Sequence, residues 1–106
     1  MEEIIKRLKK FRDEREWSQF HNTKDLSLAL SIEANELLEV FLWKSADQAD
    51  IEKVKEELAD VFAYAFLLAD SYGLDVKEII FDKIKKNAEK YPIERSKGNA
   101  RKYNEL

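Results

Sequence analysis

Glu33 and Glu36, and then Glu57 and Asp60, form two carboxylate pairs, each spaced three positions apart. Helix positions i and i+3 share a face, so each pair projects both carboxylates the same way. The polar stretch Lys44–Asp50 (KSADQAD) is a candidate turn between them. An antiparallel hairpin closed there sets Glu33 level with Asp60 and Glu36 level with Glu57, because both couples centre between Ala46 and Asp47. Four carboxylates gathered in a small volume repel strongly unless a divalent cation neutralises them. Oxygen ligands without thiolate or imidazole favour Mg²⁺, with Mn²⁺ as the alternative. The pattern points to a metal-dependent enzyme with Glu33, Glu36, Glu57 and Asp60 as ligands.

An E-x-x-E pair alone on a charged helix is usually a solvated face. Here the acids stand in otherwise apolar helices. Between Leu26 and Trp43 the only charges are Glu33, Glu36 and Glu39, and between Leu58 and Ala69 the only one is Asp60. A carboxylate flanked as Asp60 is, by Leu58, Ala59, Val61 and Phe62, needs a partner to remain ionised. Glu39 extends the row but fits a neighbouring Lys or Arg better, and Glu56 lies one residue off the face. A di-iron four-helix site needs Glu-x-x-His pairs, and the one histidine, His21, sits far from such spacing. No Cys and no Ser/His/Asp pattern offers a covalent nucleophile.

The elements that must position these groups are helical. Two Gly and one Pro in 106 residues leave little turn or strand vocabulary. The pattern predicts an all-α, four-helix single domain over residues 1–106. A first helix spans Glu2 to Glu16, with Ile4, Ile5, Leu8 and Phe11 on one stripe and Lys and Arg on the other. Trp17–Asn22 (WSQFHN) is a loop, and a second helix runs from Thr23 or Lys24 to Trp43. A third begins near Asp50 after a capping box Ser45…Gln48 and ends at Gly73. A fourth opens on Asp75 with Glu78 three positions on and is stopped by Pro92. The tail Ile93–Leu106 is polar and weakly patterned.

A charged fraction of 39% with a net charge of −3 provides no basic face for polymeric nucleic acid. The longest apolar run, Val61–Ala69, is about half of what a bilayer span requires. The start MEEIIKRLKKF is amphipathic and lacks the apolar core of a signal peptide. A cytoplasmic protein is expected, without membrane contact. A chain of this size struggles to cover two helices that are apolar almost all round, so a homodimer or homotetramer is expected.

The acidic motifs and their flanks carry a resemblance. E-x-x-E at Glu33–Glu36 followed by E-x-x-D at Glu57–Asp60 resembles the MazG-type all-α nucleotide pyrophosphohydrolases. REWSQFH (Arg15–His21), LALSIEANELLEVFLWK (Leu28–Lys44), EELADVFAY (Glu56–Tyr64), KIKKNAEKYP (Lys83–Pro92) and ARKYNEL (Ala100–Leu106) are similar to the dCTP pyrophosphatase branch. The resemblance implies a four-helix fold assembled as a dimer or tetramer. It also implies Mg²⁺-dependent hydrolysis of a (deoxy)nucleoside triphosphate, dCTP-like, to the monophosphate and pyrophosphate. Two other classes stay open: a broad-specificity house-cleaning hydrolase of modified nucleotides, and a non-catalytic nucleotide-binding helical oligomer.

The base should meet aromatic groups. Trp43 lies seven residues beyond Glu36 and Tyr64 four beyond Asp60, so both extend the acidic faces. The resemblance implies that Trp17, Phe20 and His21, with Trp43 and Tyr64, form the nucleoside pocket. Indole faces stack a pyrimidine with about 1–3 kcal/mol each, but stacking does not choose a base. Selection falls to polar groups such as His21 or to backbone atoms. Trp17 and Phe20 are also candidates for packing on the first helix, Phe20 the more so. Lys83, Asn87 and Lys90 recur on one face of the fourth helix, and the resemblance makes them phosphate and sugar contacts. Otherwise they form a solvated cationic face.

Overall fold

The computed structural model describes residues 1–105, whose regular elements are all helical with no strand among them. The chain groups into two compact units, Met1–Leu74 and the remainder from Asp75.

In the first unit α1 spans Glu2–Glu14, two residues short of the expected end. Glu16 takes a left-handed φ of 54°, which stops the helix, and the chain turns directly into a 3-10 turn, Trp17–Phe20, where a loop was expected. Arg15 closes the end of α1: Nη1 donates to the Phe11 carbonyl at 2.9 Å, and the guanidinium lies 3.7 Å over the Phe11 ring. Asn22 then caps α2 (Thr23–Glu39), accepting from the Asp25 N–H at 2.8 Å and donating to its carboxylate at 2.7 Å.

The second helix stops at Glu39, four residues before the predicted end at Trp43. Bonding shifts to i→i+3 pairs at Phe41, Leu42 and Lys44, and Trp43 takes φ 62°. Trp43 is 94% exposed in the single chain. The Ser45–Gln48 box closes on a 3-10 turn of its own, with the Ser45 N–H donating to Gln48 Oε1 at 2.9 Å. Asp50 separately caps α3 (Ile51–Ser71), accepting from the Glu52 N–H at 3.0 Å. Gly73, at φ 68°, ends it in a Schellman arrangement, with Leu74 N–H donating to Ala69 and Gly73 N–H to Asp70.

α2 and α3 lie alongside each other as a hairpin, and α1 packs on α3. Lys9 on α1 reaches Asp70 on α3 at 3.4 Å. Leu26, 2% exposed, and Leu67 and Ala69 are the buried apolar centre of this unit.

The second unit opens with Asp75 accepting from the Glu78 N–H at 3.0 Å, as the sequence predicts, and continues as α4 (Val76–Lys90). Pro92 follows and begins a single turn, α5 (Ile93–Ser96). Tyr103 starts a 3-10 turn and packs edge-on against Tyr91, centroids 6.2 Å apart. Leu106, the last residue of the ARKYNEL segment, lies outside the described residues. No helix among the described residues is long and apolar enough to cross a membrane.

Candidate active site

The α2–α3 hairpin brings three of the four carboxylates within one ion's reach. One oxygen each from Glu33, Glu36 and Glu57 lies within 4.8 Å of the other two. Glu36 is the central member, within hydrogen-bonding reach of both Glu33 and Glu57. Asp60 stands beside this trio, its charge acting on Glu33 and Glu57. The register is that of a hairpin centred in the 40–50 connection.

The trio is electrostatically unsatisfied. Burial, followed by the Glu36 contact and the charges of Glu36, Asp60 and Glu57, pushes the Glu33 pKa up to about 7. Burial and Glu36 also raise Glu57. Glu33 Oε2 and Glu57 Oε2 are buried with no hydrogen-bond partner. Unpaired acceptors on facing helices, amid charges of one sign, suit a ligand that brings positive charge. Clustered oxygen donors, with no sulfur or nitrogen among them, fit a hard divalent cation.

An aromatic cavity of about 280 Å³ meets the acidic cluster at Asp60, and its wall also includes Trp17, His21 and Tyr64. Trp17 packs edge-on against Phe11, centroids 5.8 Å apart, so it both lines the cavity and packs on α1. His21 meets Tyr64 edge-on at 6.3 Å. Burial, then the neighbouring Arg12 charge, lowers the His21 pKa and so favours its neutral ring. Its Nδ1 is buried without a partner. Burial, with the charges of Glu33, Asp60 and Glu36, raises the Tyr64 pKa and keeps its hydroxyl a donor.

Two aromatic residues predicted for the pocket, Phe20 and Trp43, are not in this wall. Phe20, expected in the nucleoside pocket with packing on the first helix as the alternative, is absent from the cavity wall and 62% exposed in the single chain. The 3-10 turn points it away while keeping Trp17 and His21 inward. Trp43 lies past the end of α2, so the two-turn alignment with Glu36 fails. Lys83, Asn87 and Lys90 are exposed along one face of α4 in the second unit, with Lys90 Nζ 5.0 Å over the Tyr103 ring.

Leu8, Phe11 and Arg12 of α1 also line the cavity and were not expected there. The sequence placed Arg12 on the solvated stripe, yet it stands four residues after Leu8, which is the spacing of one helix face.

A model of the MazG-like family matches residues 28–106, which contain all four carboxylates. The chain belongs to the MazG-like family. It is similar over its whole length to dCTP pyrophosphatase 1 of Rattus norvegicus (38% identity), Mus musculus (35%) and Homo sapiens (33%), spanning 67% of each. A crystal structure of a pyrophosphatase from Archaeoglobus fulgidus DSM 4304 superposes with a TM-score of 0.81 at 39% identity, covering 87% of this chain and 92% of that one. This MazG-like chain is accordingly an enzyme, a nucleotide pyrophosphohydrolase with the all-α fold the sequence predicted.

Proposed function

We propose that the chain hydrolyses dCTP, or a closely similar deoxycytidine triphosphate, to the monophosphate and pyrophosphate, with Mg²⁺ (or Mn²⁺) held by Glu33, Glu36, Glu57 and Asp60. The observation that carries this reading is the cluster of Glu33, Glu36 and Glu57, with unpaired oxygens on Glu33 and Glu57, next to Asp60 in the wall of an aromatic cavity. A bound divalent ion would screen the phosphates, acidify the attacking water and stabilise the leaving oxygens.

The chain's own groups do the rest. Trp17 stacks the base, and the Tyr64 hydroxyl and His21 ring supply polar contacts around the nucleoside. Lys83, Asn87 and Lys90 form an exposed face of α4 suited to phosphate and sugar, and Trp43, exposed beyond α2, is an aromatic surface suited to a base. Water oxygen bonds to the α-phosphorus as the α–β bridging bond breaks, and a carboxylate of the site accepts the water's proton. The dCTP pyrophosphatase 1 relatives support the cytosine reading.

A panel of canonical and modified triphosphates with Mg²⁺, scoring monophosphate and pyrophosphate together, tests this. dCTP is expected to give the highest kcat/KM with equimolar pyrophosphate. Comparable rates across modified bases would instead indicate a house-cleaning enzyme. Release of inorganic phosphate alone would reject the reaction.

The same reading includes a homodimer or homotetramer acting inside the cell on nucleotides and not on polymeric nucleic acid. Leu28, Ile32 and Leu38 of α2 and Phe62 of α3 are each more than half exposed in the single chain, an apolar surface suited to a second copy. Sedimentation at micromolar concentration is expected to show no monomer, and a monomer there would remove this part.

A further inference from the structure

We propose that Arg12 reads the base, its two terminal nitrogens donating to the adjacent N3 and O2 acceptors of cytosine, and that it thereby sets the preference for cytosine over uracil and thymine. The inference rests on the nucleoside occupying the aromatic cavity as proposed above.

Arg12 lines that cavity, and its side chain is only 18% exposed. Its one hydrogen bond among the described residues runs from Nε to Asp13 Oδ1 at 2.9 Å, on the solvent side. Arg12 thus lines the cavity while its two terminal nitrogens, four N–H donors in all, carry no hydrogen bond to the described residues. A guanidinium in that state is poised for a ligand that offers paired acceptors.

The cavity wall carries charge of both signs, with Asp60 at the carboxylate end and Arg12 on α1. Glu33, Asp60 and Glu36 are the charges acting on Tyr64, whereas Arg12 is the charge acting on His21. A nucleotide whose phosphates meet the carboxylate end through a cation extends its base toward Arg12, between Trp17 and His21. Cytosine presents there a bare ring nitrogen beside a carbonyl, which matches a guanidinium fork. Uracil and thymine carry a hydrogen on N3, which opposes it. Arginine has no acceptor and does not lose its proton, so the mismatch has no remedy within the side chain. A good bidentate contact discriminates between bases by about tenfold to a hundredfold.

Full-length protein with Mg²⁺ is assayed for kcat/KM on dCTP, dUTP, dTTP and dGTP, as wild type and as Arg12→Lys and Arg12→Gln. Wild type is expected to favour dCTP over dUTP by about tenfold or more. Arg12→Lys keeps the charge but loses the fork, so the ratio falls, chiefly through KM for dCTP. Arg12→Gln offers one donor and one acceptor, which complements uracil, and is expected to shift the ratio further toward dUTP. An unchanged ratio in both variants, or an equal loss on every substrate with a lowered Tm, would assign Arg12 a purely structural role and overturn the proposal. An Arg12-dependent preference for dGTP, whose N7 and O6 also form an acceptor pair, would overturn the cytosine assignment. Calorimetric binding of dCMP against dUMP reads the same discrimination without turnover. If it survives while no pyrophosphate is released, the reaction is wrong and the Arg12 contact stands.

Discussion

Glu36→Gln is expected to lower pyrophosphate release by at least about a hundredfold, since loss even of groups that merely support a metal ligand costs ten- to a hundredfold. Glu36 is the carboxylate in contact with both Glu33 and Glu57, so its charge contributes most to the repulsion within the trio. Gln preserves its shape and removes that charge. In metal-free buffer the variant should therefore be as stable as wild type or more so, while the rise in Tm on adding Mg²⁺ disappears. That combination separates a lost ligand from a damaged fold, which would lower both. Asp60→Asn is expected to abolish turnover likewise, with the metal response weakened, because Asp60 stands beside the trio and bounds the cavity. Wild-type turnover in both variants would rule out the metal role of this cluster.

Without metal, the protein should lose stability as pH rises from about 5 to about 8. The folded chain raises Glu33 from its ordinary 4.5 to about 7. Between those values the folded state binds more protons than the unfolded state, so unfolding releases them and becomes easier as pH increases. The contribution is fully present below about 4.5 and is lost as pH passes through about 7. Glu57, raised for the same reasons, acts in the same direction. Mg²⁺ competes with these protons, so its stabilising effect should be small at pH 5.5 and large at pH 8. Thermal denaturation with EDTA and with Mg²⁺ across this range measures both arms. A metal-free Tm that climbs between pH 5.5 and 8 would contradict the carboxylate cluster as the dominant pH-sensitive group.

Some boundaries were legible because local chemistry sets them. Asp75 with Glu78, Gly73 and Pro92 behave as their side chains require, through a cap, a left-handed residue and a missing N–H. The end of α2 was not legible. Apolar spacing continues through Phe41 and Leu42, and no Gly, Pro or Asn marks the stop, so nothing before Trp43 announces the change to i→i+3 bonding. The short 3-10 turn at Trp17–Phe20 was equally silent, yet it decides that Trp17 and His21 line the cavity while Phe20 does not.

The spacing of Glu33, Glu36, Glu57 and Asp60 about a polar turn was enough, by itself, to establish a helical hairpin with facing acids, because helix periodicity and loop closure are local properties of the chain. Which oxygens are stranded, and that Asp60 stands beside the closest trio rather than within it, were decided by how α2 packs on α3, and Arg12 reaches the aromatic cavity because α1 packs on α3. Burial and desolvation come from neighbours distant in sequence, and no periodicity within one helix encodes them.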